Sequence, residues 1–171
     1  MRSLSPSLSS ERSACRKVAT KCLAQESLIK SSPIPYTIIH ATQFFEFLRA
    51  IAQFSTHGDT VRLPPVLFQP MAAEDVSTAV AEAALEKPIN GMVEFAGPDT
   101  FTLDESVRKV LEHDNDARQV LADPAAPYYG VKVSEKMLVP GTGARLGSTS
   151  STSTFDCIDY HKMQHSNHEL S

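Results

Sequence analysis

The sequence has little of what marks a secreted, metal-binding or membrane-spanning protein. Its three cysteines, Cys15, Cys22 and Cys157, are odd in number, and no two have CxxC spacing. This argues against a disulfide scaffold and against a zinc finger. No stretch approaches the roughly 18 apolar residues that span a bilayer, and no apolar run follows the basic residues near the start, as a secretory signal requires. We therefore expect a reducing compartment and a cytoplasmic location.

Strong net charge is also lacking, although the charges are unevenly spread. The 171 residues carry 16 Lys or Arg and 20 Asp or Glu, a net charge of −4, which does not favour wholesale nucleic-acid binding. Residues 1–30 hold six basic residues against two acids, and the remainder holds ten against eighteen. A basic start on an acidic body is compatible with a targeting segment, an interaction arm or a solvent-facing helix. Residues 1–10 are of low complexity and are predicted to be disordered.

Apolar periodicity predicts alternating helices and strands. The predicted elements are a helix over 11–31, a strand over 36–40, a helix over 43–54, extended pieces over 60–63 and 66–68, a helix over 71–86, a strand over 91–96, a helix opened by the capping box of Thr102 and Glu105, a short strand over 119–121 and a short helix near Ser134. Such alternation predicts an α/β fold with a partly parallel sheet. Two well-defined strands are too few for a doubly wound sheet, so neighbouring strands are missing from the chain.

Several segments together resemble the NmrA-like atypical short-chain dehydrogenase/reductase family. They are Leu23-Ala24-Gln25-Glu26, Leu28-Ile29, Ile34-Pro35-Tyr36-Thr37-Ile38-Ile39, Ala41-Thr42-Gln43-Phe44-Phe45-Glu46-Phe47, Gln69-Pro70-Met71-Ala72-Ala73-Glu74-Asp75-Val76, Phe95-Ala96-Gly97-Pro98, Leu138-Val139-Pro140-Gly141 and Ala144-Arg145-Leu146-Gly147. The similarity covers roughly residues 18–147, and the run at 34–47 is its most specific part.

The resemblance implies the C-terminal portion of a Rossmann-like doubly wound fold with a small substrate-binding subdomain. The N-terminal half, which holds NAD(P) through a glycine-rich turn in relatives, would be missing. The implied organisation is a disordered start over 1–10, the family region over 11–147, and a Ser/Thr-rich linker with a polar tail over 148–171. The implied activity is NAD(P)H-linked reduction of a small carbonyl or quinone, with the isolated chain weakly active or inactive.

The resemblance also places a binding site and shows two losses. The segment His40, Ala41, Thr42 and Gln43 would pass beside the cofactor, so NAD(P) binding residues are expected there. Relatives often carry a Tyr and a Lys four residues apart on the preceding helix, and in register this chain has Val18 and Cys22. Neither side chain can transfer a proton to a carbonyl, so no catalytic residue is assigned.

Other candidate residues each have a functional and a structural interpretation. Phe44 and Phe45 are candidates for a substrate pocket; helical spacing favours the core for Phe44 and Phe47, and Phe45, which lies off that stripe, is the better pocket candidate. The acids Glu74 and Asp75 suit the dipole of a helix start better than an acid–base pair. Cys22 is a reactive thiol or, more simply, a buried apolar residue. Three histidines, His161, His165 and His168, have helical spacing but no fourth zinc ligand.

Three hypotheses about function remain open at this point. The chain is a reductase that acts on a small molecule, or a non-catalytic cofactor-sensing module whose protein partner completes the sheet, or a non-functional gene fragment. No nucleic-acid or membrane partner is expected.

Overall fold

The structure, a computed structural model, describes residues 23–150. In chain order they form α1 (described over 23–31), β1 (Thr37–Ala41), a 3-10 turn (Phe45–Phe47) that runs into α2 (Leu48–Phe54), β2 (Thr56–His57), β3 (Thr60–Leu63), β4 (Leu67–Phe68), α3 (Ala73–Leu85), β5 (Gly91–Ala96), β6 (Phe101–Thr102), α4 (Leu103–His113), β7 (Gln119–Ala122) and β8 (Arg145–Leu146). No helix among these residues is long and apolar enough to cross a membrane.

The strands of residues 23–150 form three small sheets with mixed directions. The first has the order β1-β5-β8, and both of its pairings are parallel, with Ile39 beside Val93 and Phe95 beside Arg145. The second has the order β2-β3-β7, with an antiparallel hairpin and a parallel pairing of β3 with β7. Two residues from each of β4 and β6 form the third, antiparallel sheet. The α/β architecture with a partly parallel sheet is therefore confirmed.

Local signals place most element boundaries correctly. The Gly58 turn closes the β2–β3 hairpin with a φ of 62°, which glycine adopts without a steric penalty. At the start of α4 the N–H of Thr102 donates to Glu105 Oε2 at 3.1 Å, as the capping-box prediction requires. Hydrogen bonding from the Thr102 backbone N–H, and to a smaller extent from the Thr102 hydroxyl, holds the pKa of Glu105 below its usual value.

The predicted helix near Ser134 is wrong. Residues 135–137 form a turn instead. The carbonyl of Glu135 accepts the N–H of Leu67 at 2.9 Å, and that of Leu138 accepts the N–H of Gln69 at 3.3 Å. Because these carbonyls bond across to the β4 region, the segment runs as a loop that adds Val133 and Leu138 to the core.

The main core lies between α2, α4 and strand β3. Its central side chains are fully or almost fully buried: Phe45, Leu48, Ile51, Val61, Leu63, Phe68, Leu103, Val107 and Val110. A smaller cluster of Met71, Ala79 and Phe95 joins α3 to the first sheet. The partly buried Ile39 and Val93 pack against this smaller cluster, so it contacts both β1 and β5.

The aromatic run before α2 packs in a different phase from the predicted one. Phe45 is 2% exposed and belongs to the main core, whereas Phe47 is 49% exposed. The segment starts as a 3-10 turn, which has three residues per turn, so Phe45, Leu48 and Ile51 fall on one side at steps of three. Contrary to expectation, Phe47 is therefore exposed instead of lying in the core, and Phe45 is buried in the core instead of facing a pocket.

Candidate functional site

An open cavity of about 600 Å³ lies beside β1, around the carboxyl ends of β1 and β5. All four residues for which cofactor contact is expected, His40, Ala41, Thr42 and Gln43, line it. The remaining lining comes from α1, from the rest of β1, from β5 and from one loop: Gln25, Glu26, Ile29, Thr37, Ile38, Ile39, Glu94, Phe95, Met137, Leu138, Val139 and Pro140. The fold thus gathers segments that are more than 100 residues apart in sequence.

His40 is held in an ion-pair network at the wall of this cavity. Its Nε2 lies 2.8 Å from Glu26 Oε1, and Lys30 Nζ donates to Glu26 Oε2 at 3.0 Å. The hydrogen bonds from Lys30 and then from His40 hold the pKa of Glu26 below its usual value. The contact with Glu26 orients the His40 ring. Because the side chain is 40% exposed, the ring is still reachable from the cavity.

Glu94 brings a second carboxylate to the cavity. It is the register partner of His40 on the neighbouring strand, and its Oε2 accepts the N–H of Gly141 at 2.8 Å. A Cβ at position 141 would lie 2.9 Å from that oxygen, so the glycine allows the loop to approach. Glu94 adds negative charge to the cavity, whereas Glu26 is paired with Lys30 and His40, and no Lys or Arg lies among the described lining residues.

Thr42 presents a polar atom without a partner at the end of β1. Its N–H donates to the carbonyl of Phe95 at 2.9 Å, but its buried Oγ1 has no hydrogen-bond partner among the described residues. Burying a hydroxyl without a partner is costly. A bound polar group that reached Thr42 Oγ1 after a small local shift would supply the missing hydrogen bond.

The two pocket phenylalanines lie beside the cavity rather than in its wall. Phe45 is enclosed in the main core. Phe44 is partly buried against the smaller cluster, and its ring stacks on Phe47 at a centroid distance of 5.6 Å. Neither contributes to the cavity surface, and Phe95 is the aromatic residue that does.

Asp75, one of the two first-turn acids of α3, has a structural role. Asp75 Oδ2 accepts the N–H of Thr149 at 3.0 Å and its Oδ1 accepts the Thr149 hydroxyl at 3.0 Å, so it fastens the start of the predicted linker to the helix. The helix start is completed by Glu46, whose Oε1 accepts the N–H of Ala73 at 3.0 Å. Val18, Cys22, His161, His165 and His168 lie outside the described residues.

Sequence reasoning missed Glu26, Glu94 and the loop over 137–140. The i, i+4 spacing of Glu26 and Lys30 was a visible signal for a helix ion pair, though not for a partner on β1. Nothing local in the sequence relates Glu94 to Gly141, because their contact depends on the loop returning to the sheet.

No described residue forms a site for the pyrophosphate of a dinucleotide. Such sites place a glycine-rich turn between a strand and a helix N-terminus. Gly97 does follow β5, but a Cβ there would lie 1.9 Å from the carbonyl oxygen of Pro70, so this glycine serves backbone packing. Gly141 and Gly143 precede the two-residue strand β8, and no helix follows them within residues 23–150. The residues present therefore do not fit an NAD(P) pyrophosphate.

Comparison with known proteins adds no identification: no protein-family model matches the chain, and no curated protein gives a significant match.

Proposed function

We propose that this chain is the substrate-side portion of an NmrA-like, NAD(P)H-dependent oxidoreductase-type fold, and that its cavity binds a small carbonyl compound or quinone. In this proposal the fold is the C-terminal part of a Rossmann-like doubly wound sheet with a small subdomain, and the nucleotide-binding half is not contained in these residues. The chain by itself is weakly active or inactive, because residues 23–150 form no pyrophosphate site.

The observation that carries the proposal is the meeting of two parallel strand ends at one cavity. In open α/β sheets, ligands bind in the crevice beyond the carboxyl ends of the strands. The ends of β1 and β5 supply His40, Thr42 and Glu94 to the cavity, and the adjoining Gln43 lines it as well. Its size suits a drug-sized molecule, since such sites measure about 300–1,000 Å³.

The lining is suited to a neutral, oxygen-bearing ligand. The His40 ring, oriented by Glu26, can donate a hydrogen bond to a carbonyl or quinone oxygen when it is protonated. Ile38, Leu138 and Val139 give the apolar surface that a flat ligand needs. The Glu94 carboxylate disfavours a phosphate in the same space.

A direct test of the cofactor part is a titration of the purified chain with NADPH, followed by nucleotide fluorescence. We expect no saturable binding in the micromolar range, because backbone amides and a helix N-terminus that would hold a pyrophosphate are lacking among the described residues. Saturable micromolar binding would contradict the proposed division of the fold. The matched measurement is turnover of a quinone panel with NADPH, for which we expect rates near background.

A second candidate is a non-catalytic module that binds a protein partner. Two observations favour it: Val18 and Cys22 replace the proton-transfer pair of relatives, and the outer edge of β1 has no strand partner among the described residues. Isolation of the full chain with one stoichiometric partner would support this candidate. A non-functional gene fragment is the remaining possibility, and a non-cooperative melting curve of the purified chain would favour it.

A further inference from the structure

The outer edge of β1 carries backbone groups that no described strand pairs. The sheet order ends at β1. The Thr42 N–H donates to Phe95, and the Tyr36 carbonyl accepts from Asn90, so alternate residues of β1 face β5. In a ladder the intervening residues face the other way. The N–H and C=O groups of Thr37, Ile39 and Ala41 therefore point away from the sheet.

This edge lacks the protection that exposed strands usually have. Edge strands of natural proteins carry Lys, Pro, bulges or inward-pointing charges that prevent further pairing. The residues Thr37–Ala41 include no Lys, Arg, Asp, Glu or Pro, and two adjacent isoleucines occupy the middle. All five residues remain at least partly exposed. Such a strand has the composition of an interior strand in an edge position.

The cavity follows the edge residue by residue. Every position from Thr37 to Gln43 lines the cavity. Because side chains of successive strand residues alternate between the two faces of a sheet, an unbroken run of lining residues means that the cavity follows the edge of the sheet and not one face. Helix α1, through Glu26 and Ile29, borders the groove on one side, and the loop over 137–140 borders another part of it. An extended polypeptide has the shape that fills such a groove.

The groove also selects the charge of its occupant. Glu94 gives it a carboxylate that accepts the Gly141 N–H, whereas Glu26 is already paired with Lys30 and His40. Between them, Ile29, Ile38 and Leu138 provide apolar surface. A strand that alternates apolar residues with Lys or Arg matches both features.

We infer that the free edge of β1 binds an extended segment of a partner protein, in which apolar residues alternate with basic ones, by adding it to the sheet as a further strand. Main-chain hydrogen bonds to Thr37, Ile39 and Ala41 supply affinity, and the Glu94 carboxylate and the apolar surface supply selectivity. This inference rests on the second candidate function, in which a protein partner is bound, and it requires no nucleotide.

The first test measures binding by fluorescence anisotropy, with the full chain and a fluorescein-labelled peptide that alternates lysine with valine. We expect saturable binding that is about tenfold or more weaker for the same peptide with glutamate in place of lysine, because charge of the wrong sign meets Glu94. Absence of saturable binding, or equal affinity for the two peptides, would overturn the proposal.

Two variants locate the contact. Ala41→Pro removes an outward N–H without touching a β5 hydrogen bond, and proline is tolerated at such edge positions. It should weaken binding of the lysine peptide about tenfold, the effect of one lost hydrogen bond, and Ala41→Val, which keeps that N–H, should weaken it less. Glu94→Gln keeps an oxygen that accepts the Gly141 N–H and removes the negative charge. It should lower the affinity for the lysine peptide and leave the affinity for the glutamate peptide unchanged. Wild-type affinity in both Ala41→Pro and Glu94→Gln would contradict the assignment.

Amide hydrogen exchange of the free protein excludes other occupants. We expect rapid exchange at Ile39 and Ala41 and protection at His40 and Thr42, whose N–H groups face β5. Protection of Ile39 and Ala41 at every protein concentration would mean that the chain's own residues fill the edge. Protection that rises with protein concentration would mean a second copy fills it. Either result would overturn the partner assignment.

Discussion

Two phenylalanines separated by a single residue differ sharply in their environment. Phe45 is 2% exposed among the side chains of α2, β3 and α4, and Phe47 is 49% exposed and stacked on Phe44. We expect Phe45→Ala to lower the free energy of unfolding by about 3–5 kcal/mol, because it leaves a cavity in a packed core. Phe47→Ala, the matched control, should cost at most about 1.5 kcal/mol, the scale of one aromatic pair. Urea unfolding of both variants measures the difference, and equal losses would contradict the 3-10 phase.

The reason the sequence could not show this lies in the helical repeat. Residues at i, i+3 and i+4 predict one face when the whole segment is α-helical, and Phe44, Phe47, Leu48 and Ile51 satisfy that pattern. The observed face begins at Phe45 because the first turn is 3-10. That change of repeat comes from tertiary contacts, such as the Phe45 N–H donating to the carbonyl of Met71 at 3.1 Å.

The Asp116 carboxylate has a strongly lowered pKa. Its hydrogen bonds from Arg118 lower the pKa from 3.8 to about 2. Arg118 also donates to Thr56 Oγ1 at 2.8 Å, so the pair ties the start of β7 to the hairpin. Because the folded pKa is depressed, this contribution is complete above about pH 4 and is lost as pH falls toward 2.

We therefore expect Asp116→Asn to lower the melting temperature at neutral pH and to flatten its decline between pH 4 and 2. Arg118→Gln removes the partner of the same carboxylate and should flatten that decline as well. Melting curves followed by circular dichroism across this range provide the measurement. A variant profile parallel to that of the wild type would show that the pair does not set the acid response.

At the scale of elements, the end of β5 is fixed by backbone contact at Gly97. A Cβ at this position would lie 1.9 Å from the Pro70 carbonyl oxygen, and Gln69 Nε2 donates to the Gly97 carbonyl at 2.8 Å. Gly97→Ala must displace backbone, so we expect a loss of about 1–3 kcal/mol, the usual cost of overpacking. At the other end of the same strand, Gly91→Ala meets its nearest neighbour at 3.6 Å and should be nearly neutral. Thermal unfolding of both variants tests this, and similar stabilities would refute the close approach.

The longer elements were predictable, and the short ones were not. Strands β1 and β5 and helix α3 are marked by β-branched runs, by helical periodicity and by Pro or Gly at their ends. By contrast, β8 has only two residues and exists because Arg145 and Leu146 pair with the end of β5. The parallel pairing of β7 with β3 joins Val120 to Val61, a contact that no local pattern encodes.

At the scale of the whole molecule, the cavity results from the way distant segments meet. The resemblance singled out His40 to Gln43 as cofactor-binding residues; they line the cavity, and their binding of a cofactor stays a prediction. The cavity's electrostatic character depends on Glu26 and Glu94, whose positions follow from the packing of α1 and from the loop that reaches Glu94. A sequence pattern could therefore indicate one wall of the site, but not its charge or its second wall.

The cavity's position at the edge of a sheet connects the two proposals for this chain. A small oxygen-bearing ligand would use the strand ends at His40 to Gln43, whereas an added strand would use the length of β1 from Thr37. The two occupants overlap at His40 and Ala41, so each should reduce binding of the other. Competition between a quinone and the lysine–valine peptide would report this overlap.

The most direct test of the proposed function maps a quinone onto the protein. Tetramethylbenzoquinone has no free ring position for thiol addition, so it can be titrated into isotope-labelled chain while backbone amide signals are recorded. We predict saturable shifts at His40, Ala41, Thr42 and Gln43 and at Glu94, with none from an equal amount of NADPH. Shifts elsewhere, no shifts, or a stronger response to NADPH would contradict the account.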